Sequence, residues 1–292
     1  MACDSPYVVN VPGRVNPKIP VPCGRCAYCK ETKTNQWIFR IMQEDKVAKY
    51  AAFITLTYDT RFVPISSNGF MTLCKEDVVK YMKRLRKATV KRFPHSLPLR
   101  YYFVGEYGSI KERPHYHAVV FNVPDENLFR DAWILNGDLI GKVDVGTVKG
   151  ASIAYVCKYI QKEGRIPKFD RDDRLPEFSL MSKGLGKNYV TDMRRVNFHK
   201  ADYTRQYVVD HQGKKIPMPK YYRDYMFDSQ EKATIRALAE KNCEESEEEL
   251  RKKFFLKNRN ATELDFVRYK EGGKMNRYNR YYSKSKKRRK DV

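Results

Sequence analysis

Two histidines one residue apart, His115 and His117 in the stretch RPHYHAVVF, are the side chains most ready for chemistry in this chain. The run around them is apolar, aromatic and β-branched, so it reads as a strand, and alternate strand residues face the same way. Both imidazoles then stand on one face, about 6 to 7 Å apart by Cα, with Tyr116 on the other. The preceding run RYYFVGEY, joined through a short polar turn with Gly108 and Pro114, completes an antiparallel hairpin and sets Glu106 beside the histidines. Two imidazoles and a carboxylate leave coordination positions open for water or a phosphate oxygen, as a catalytic metal requires and a structural one does not. Phosphate chemistry suits Mg²⁺ or Mn²⁺, although two imidazoles also accept Zn²⁺ or Ni²⁺. The competing reading is a pair of half-exposed strand histidines with a surface glutamate.

A second constellation lies in GASIAYVCKYIQKEG, which reads as a helix with Ser152 near its start and Gly164 just past its end. Tyr155, Lys158, Tyr159 and Lys162 share one face, while Ile153, Val156, Cys157 and Ile160 form the opposite one. An amphipathic helix with a solvated lysine face accounts for this pattern by itself. Beside a metal it describes more. A phenol with an ordinary pKa of about 10 becomes a nucleophile when lysines favour its phenolate and a metal withdraws charge from phosphorus. Attack on a phosphodiester would exchange the ester bond for a phosphotyrosyl one, so the break could be resealed.

The elements that must position these groups follow from the pattern. A helix is expected within the region from Cys23 to Tyr50, where Trp37, Ile41 and Met42 recur at near-helical spacing. YAAFITLTYDT reads as a strand, and LCKEDVVKYMKRLRKATVKRF as an amphipathic helix with Val78, Met82 and Leu85 on its apolar side. Another helix is expected over Ser229 to Lys257, and the closing SKSKKRRK is expected to be unstructured. The order of elements predicts an α+β fold, an antiparallel sheet with helices on one face. We divide the chain into a cysteine-cluster segment with a helix at 1–50, a catalytic domain at 51–200, and a C-terminal helical region with a basic tail at 201–292.

Composition narrows the partner. Lysine and arginine outnumber aspartate and glutamate 58 to 35, and a formal charge of +23 points to a polyanion, with nucleic acid ahead of membrane. The face of α-helical Lys80, Lys83, Arg84, Arg86 and Lys87 and the tail Lys284 to Lys290 could hold phosphates by charge. A solvated face and a free end explain them equally well. No apolar window long enough to cross a bilayer and no secretory leader is seen, so a cytosolic protein without a membrane partner is expected. The 7 cysteines are expected to be reduced or metal-bound rather than paired. Cys23, Cys26 and Cys29 have metal-ligand spacing and are a candidate structural Zn²⁺ site; Cys3, Cys74 or a histidine could supply a fourth ligand. Three reduced cysteines in a loop remain the alternative.

These residues carry a resemblance. HYH is similar to the histidine-hydrophobe-histidine motif of the HUH endonucleases, FITLTY resembles their first motif, and YVCKYIQK resembles their tyrosine motif, all in the family's order. Glu106 stands where related initiators often carry an acidic metal ligand. The YVxKYxxK spacing resembles the replication initiators of microviruses, small phages with single-stranded DNA circles, and PCGRCAYCK and MSKGLGKNY are similar to segments of their gokushovirus branch. The likeness covers roughly residues 21 to 190. It implies an HUH-type sheet with flanking helices and metal-dependent, site-specific nicking and rejoining at a replication origin. The 5′ end would be held on tyrosine and a 3′ hydroxyl released as primer for rolling-circle replication. The partners implied are origin DNA, its displaced single strand and the host replication machinery, in the host bacterial cytoplasm. An HUH relaxase or transposase, or a non-catalytic single-strand binding protein, are the other readings.

Overall fold

The computed structural model describes residues 3–10, 18–157 and 166–287. In chain order the first elements are β1 (Tyr7–Asn10), β2 (Lys18–Val21), α1 (Ala27–Asp45), β3 (Ala51–Thr57), α2 (Lys75–Arg92), β4 (Arg100–Tyr107) and β5 (Pro114–Phe121). There follow α3 (Asn127–Asp131), β6 (Ile134–Leu135), β7 (Asp138–Leu139), β8 (Val143–Thr147), α4 (Gly150–Cys157) and β9 (Phe178–Met181). The last are α5 (Asn188–Thr191), α6 (Met193–Lys200), β10 (Tyr207–Val209), β11 (Lys215–Pro217), α7 (Lys220–Met226), α8 (Ser229–Lys257) and α9 (Glu263–Lys287).

Packing groups these elements into two compact units, residues 37–189 and residues 1–36 with 190–292. The cuts fall elsewhere than the expected boundaries at 50 and 200, and the two chain ends share a unit.

The unit of residues 37–189 is built on a five-stranded sheet in the order β8-β3-β5-β4-β9, antiparallel at every pairing. The α+β class is therefore as the sequence predicts. The helices differ from expectation, because they cover both faces rather than one. Against one face α2 packs Val78, Tyr81, Met82 and Leu85 onto Ile54, Leu56, Phe103, Tyr116, Ala118 and Val120, with Trp133 from the segment after α3. Against the other lie Ile41 of α1 and Ile153, Val156 and Cys157 of α4, over Tyr102, Val104, Val119 and Phe121. With apolar layers on both sides, the central strand β5 is buried along nearly its whole length. That is why its sequence ends in a continuous apolar run instead of alternating.

α2 carries charge suited to each of its ends. Glu76 and Asp77 stand in its first turn and Lys91 and Arg92 in its last, each charge opposing the helix dipole. One backbone contact is unusually close. Gly141, which ends the approach to β8, has room for no side chain, since a Cβ there would lie 1.8 Å from the Thr57 carbonyl oxygen.

In the other unit, β1 pairs with β2 and β10 with β11, both antiparallel. α8 has the bounds expected from sequence. Its start is a capping box: Asp228 accepts from the Glu231 N–H while Glu231 accepts from the Asp228 N–H. The acidic run is matched by neighbouring bases, with Glu248 to Lys252 at 2.7 Å and Glu247 to Lys270 of α9 at 2.7 Å. The basic tail is not wholly unstructured, because α9 continues to Lys287; residues 288–292 lie outside the described residues. Among the described residues no helix is long and apolar enough to cross a membrane.

Candidate metal centre and active site

Strand register assembles the first candidate site. Glu106 of β4 and Thr57 of β3 both pair with His115, and Val104 and Thr55 both pair with His117. Side chains of paired residues share a face, so Glu106, His115, His117, Thr55 and Thr57 stand on the side of the sheet that carries α4. The Glu106 Oε1 lies 2.9 Å from His115 Nε2 and 3.1 Å from His117 Nε2. Glu106 is 2 % exposed and His117 is 7 % exposed. A carboxylate desolvated to that degree requires a counter-charge.

The outer nitrogens show what kind. His115 Nδ1 lies 3.1 Å from the Arg113 carbonyl, which can only accept, so Nδ1 carries the proton. In the neutral ring Nε2 is then a lone pair aimed at a carboxylate oxygen, and only a cation, a proton or a metal, makes that contact favourable. His117 Nδ1 is 3.0 Å from Thr55 Oγ1, whose hydroxyl can accept in the same way. Imidazoles held by an outer hydrogen bond with Nε2 turned inward are the usual arrangement of metal ligands. The spacing agrees too. Donors of an octahedral ion at about 2.1 Å are about 3.0 Å apart along an edge, and the three ligand atoms lie within 4.8 Å of one another. The residues therefore fit a divalent ion.

α4 brings a phenol to this triad. The Tyr155 ring meets His117 edge-on at 5.1 Å between centroids and Phe53 at 6.1 Å, while Phe53 stacks on His117 at 5.7 Å and 19°. Ile153, Val156 and Cys157 are buried on the opposite side of the helix, as the spacing predicts. Lys158, Tyr159 and Lys162 lie outside the described residues.

The basic side chains of α2 are not brought to this place, because α2 covers the other face of the sheet. Lys80 is exposed and within 3.6 Å of Glu76, and Lys83 and Lys87 are exposed. Arg84 is engaged in structure: its Nε donates to the Ala132 carbonyl at 2.9 Å, and burial lowers its pKa. Tyr116, between the two histidines, serves that same layer. Its hydroxyl donates to the Cys74 carbonyl, accepts from the Cys74 N–H and meets Tyr58 at 3.0 Å; Tyr58 in turn donates to Asp77. Burial raises the pKa of both phenols, Tyr58 more than Tyr116, so neither is a nucleophile.

Sequence reasoning missed Thr55, Phe53 and Asp144. The first two could have been found in FITLTY, where Phe53, Thr55 and Thr57 alternate with buried Ile54 and Leu56. Asp144 pairs with Thr55 and so stands in the row of His117, with Lys142 at 2.7 Å from it.

The second candidate centre is the cysteine cluster. Cys23, Cys26 and Cys29 are joined by Cys3, and the four sulfurs lie within 4.8 Å of one another. Burial works to raise the Cys23 thiol, but the N–H groups of Cys26 and Arg25 outweigh it and bring it down to about 7. Burial pushes Cys26 and Cys29 up.

The five-stranded antiparallel sheet with flanking helices is consistent with the fold of the family that the motifs resemble. Residues 51–164, which hold the triad and α4, match a family of replication-associated proteins, that of the ORF2 type. The chain is 26% identical over 219 residues to "Replication-associated protein VP4" of Bdellovibrio phage phiMH2K, covering 70% of this chain and 66% of that protein. It is 27% identical over 244 residues to "Replication-associated protein ORF2" of Spiroplasma virus 4, covering 75% of each. With "Replication-associated protein ORF4" of Chlamydia phage 1 it shares 24% over 226 residues, spanning 53% of that protein. No solved structure matches. The resemblance to phage replication proteins read from the motifs is borne out by these matches.

Proposed function

We propose that this protein is the replication initiator of a single-stranded DNA phage, a metal-dependent nickase and strand transferase that acts at the origin in the host bacterial cytoplasm. The observation that carries the reading is Tyr155 packed edge-on against His117 of a buried Glu/His/His triad, in a chain similar to named phage replication proteins. Glu106, His115 and His117 would hold Mg²⁺ or Mn²⁺, which when bound draws charge from the scissile phosphate. Tyr155 Oη attacks phosphorus, the bond to the 3′ oxygen breaks, and that oxygen takes up a proton as the 5′ phosphate stays on tyrosine. The released 3′ hydroxyl primes the host replication machinery. Tyr159, one turn on by spacing, would attack the regenerated origin while Tyr155 still holds the first end, and Lys158 and Lys162 would favour the phenolates and hold phosphate.

The test is a supercoiled plasmid carrying the candidate origin, incubated with Mn²⁺ or Mg²⁺. A nicked product that keeps protein after denaturation is expected, abolished by His115→Ala with single-strand binding retained. Tyr155→Phe and Tyr159→Phe singly should lose repeated circle production, and together all covalent attachment. Binding without any nick would leave a non-catalytic single-strand binder, and cleavage confined to transfer origins or element ends would make it a relaxase or transposase.

A further inference from the structure

The cysteine cluster has a geometry of its own. Cys3 Sγ is 3.6 Å from Cys29 Sγ and 3.9 Å from Cys26 Sγ. These are too long for disulfides, whose sulfurs are about 2.0 Å apart, and all four cysteines are free. A tetrahedron of thiolates at about 2.3 Å from a zinc ion has edges of about 3.8 Å, close to both measured separations. A four-iron cluster would stand between the sulfurs and hold them well apart, whereas here every pair is within 4.8 Å.

The backbone is shaped to the same end. Gly24 takes a φ of +72° between Cys23 and Cys26, which only glycine adopts at no steric cost. The turn aims the Arg25 and Cys26 N–H groups at Cys23 Sγ, at 3.4 and 3.3 Å, and the Cys23 N–H at Cys3 Sγ, at 3.3 Å. Three backbone donors thus point at sulfur, an arrangement suited to thiolates rather than thiols. Cys29 follows in the first turn of α1. Cys3 and Cys29 are buried, and Asp4, beside Cys3, is bridged by Arg277 of α9 at 2.7 Å.

We propose that Cys3, Cys23, Cys26 and Cys29 form a closed tetrathiolate zinc site, structural rather than catalytic, that fastens the N-terminal strand to the start of α1. Four protein ligands fill the shell, so no position remains for water or DNA. Cys3 is the ligand that closes it, singled out from Cys74 and the histidines by its place among the three sulfurs.

The full chain is purified under reducing conditions without added metal and dialysed against a weak chelator, then zinc is counted by mass spectrometry. A His115→Ala/His117→Ala chain serves as parent, so that zinc at the triad cannot contribute. One zinc per chain is expected to remain, with no iron, and Cys3→Ser in this background should lose most of it. Replacement by Co²⁺ should give the intense visible bands of tetrahedral thiolate ligation with sulfur-to-metal charge transfer. That spectrum counts thiolates in the parent, so the proposal stays testable if Cys3→Ser fails to fold. A metal-free parent with four reactive thiols, disulfides by mass, iron in place of zinc, or full zinc retention by a folded Cys3→Ser chain would each overturn it. None of these readouts depends on DNA cleavage.

Discussion

Replacing Thr55 with valine tests the candidate metal centre without touching Glu106, His115 or His117. The substitution keeps the branched shape on β3 and removes only the hydroxyl that lies 3.0 Å from His117 Nδ1. With that hydroxyl accepting from Nδ1–H, the Nε2 lone pair is directed inward. With valine there, a buried Nδ1–H has no acceptor, a cost of about 1 to 3 kcal/mol. The ring escapes it by moving its proton to Nε2, which sits 3.1 Å from the Glu106 carboxylate. Folding stability should therefore change little, while a proton now occupies the position that a metal must take. Loss of an outer hydrogen bond of this kind weakens metal binding by about 10 to 100-fold, or about 1.4 to 2.8 kcal/mol. Mn²⁺ titration followed by electron paramagnetic resonance measures this, with His115→Ala as the blank and the chemical denaturation midpoint as the stability control. Wild-type Mn²⁺ affinity in folded Thr55→Val would refute the argument that Thr55 sets the tautomer.

Gly141→Ala should destabilise the sheet by at least about 1 to 3 kcal/mol, because its Cβ would meet the Thr57 carbonyl that also accepts from Trp133 Nε1 at 2.9 Å; an unchanged denaturation midpoint would contradict this. Tyr116→Phe should cost about 1 to 3 kcal/mol by leaving the Cys74 backbone groups unpaired, with Mn²⁺ affinity unaltered since the phenol is on the opposite face. The Arg174 guanidinium holds the Asp172 carboxyl well below the usual carboxylate range. A depressed folded pKa stabilises fully above the unfolded value of about 4 and less as the pH falls from there toward the folded value. Asp172→Asn should thus lower the urea midpoint at pH 7 and converge on wild type in acid, and parallel curves across that range would count against the pair.

How far the sequence reveals this molecule depends on the range of the signal. The hairpin of β4 and β5 is legible because strand alternation and a polar turn are local, and with it came Glu106, His115 and His117. α8 is legible at both ends because Asp228 and Glu231 make a capping box within four residues. β8 was passed over, since VDVGT is short and contains Asp144 and Gly146, and it is a strand by virtue of pairing with β3. The order of elements predicted the class but not the second helical layer, because nothing in the spacing of Ile41 or Ile153 says which face of a sheet either will cover. Cys3 was one of several candidates for the fourth position of the cysteine cluster, since the chain between it and Cys23 carries no periodicity that would choose it over Cys74 or a histidine.

The pairing of β5 has one further consequence. The strand is hydrogen-bonded along both edges, to β3 and β4, with imidazoles on one face and Tyr116 on the other. Slipping it by one residue would drive both histidines into the layer with Tyr81 and Trp133 and turn the phenol out beside Glu106. No misaligned sheet could gather the three donors, so a chain that takes up metal at Glu106 has proofread its own strand order. Metal uptake during refolding should then appear only with the native β-sheet signal, never ahead of it.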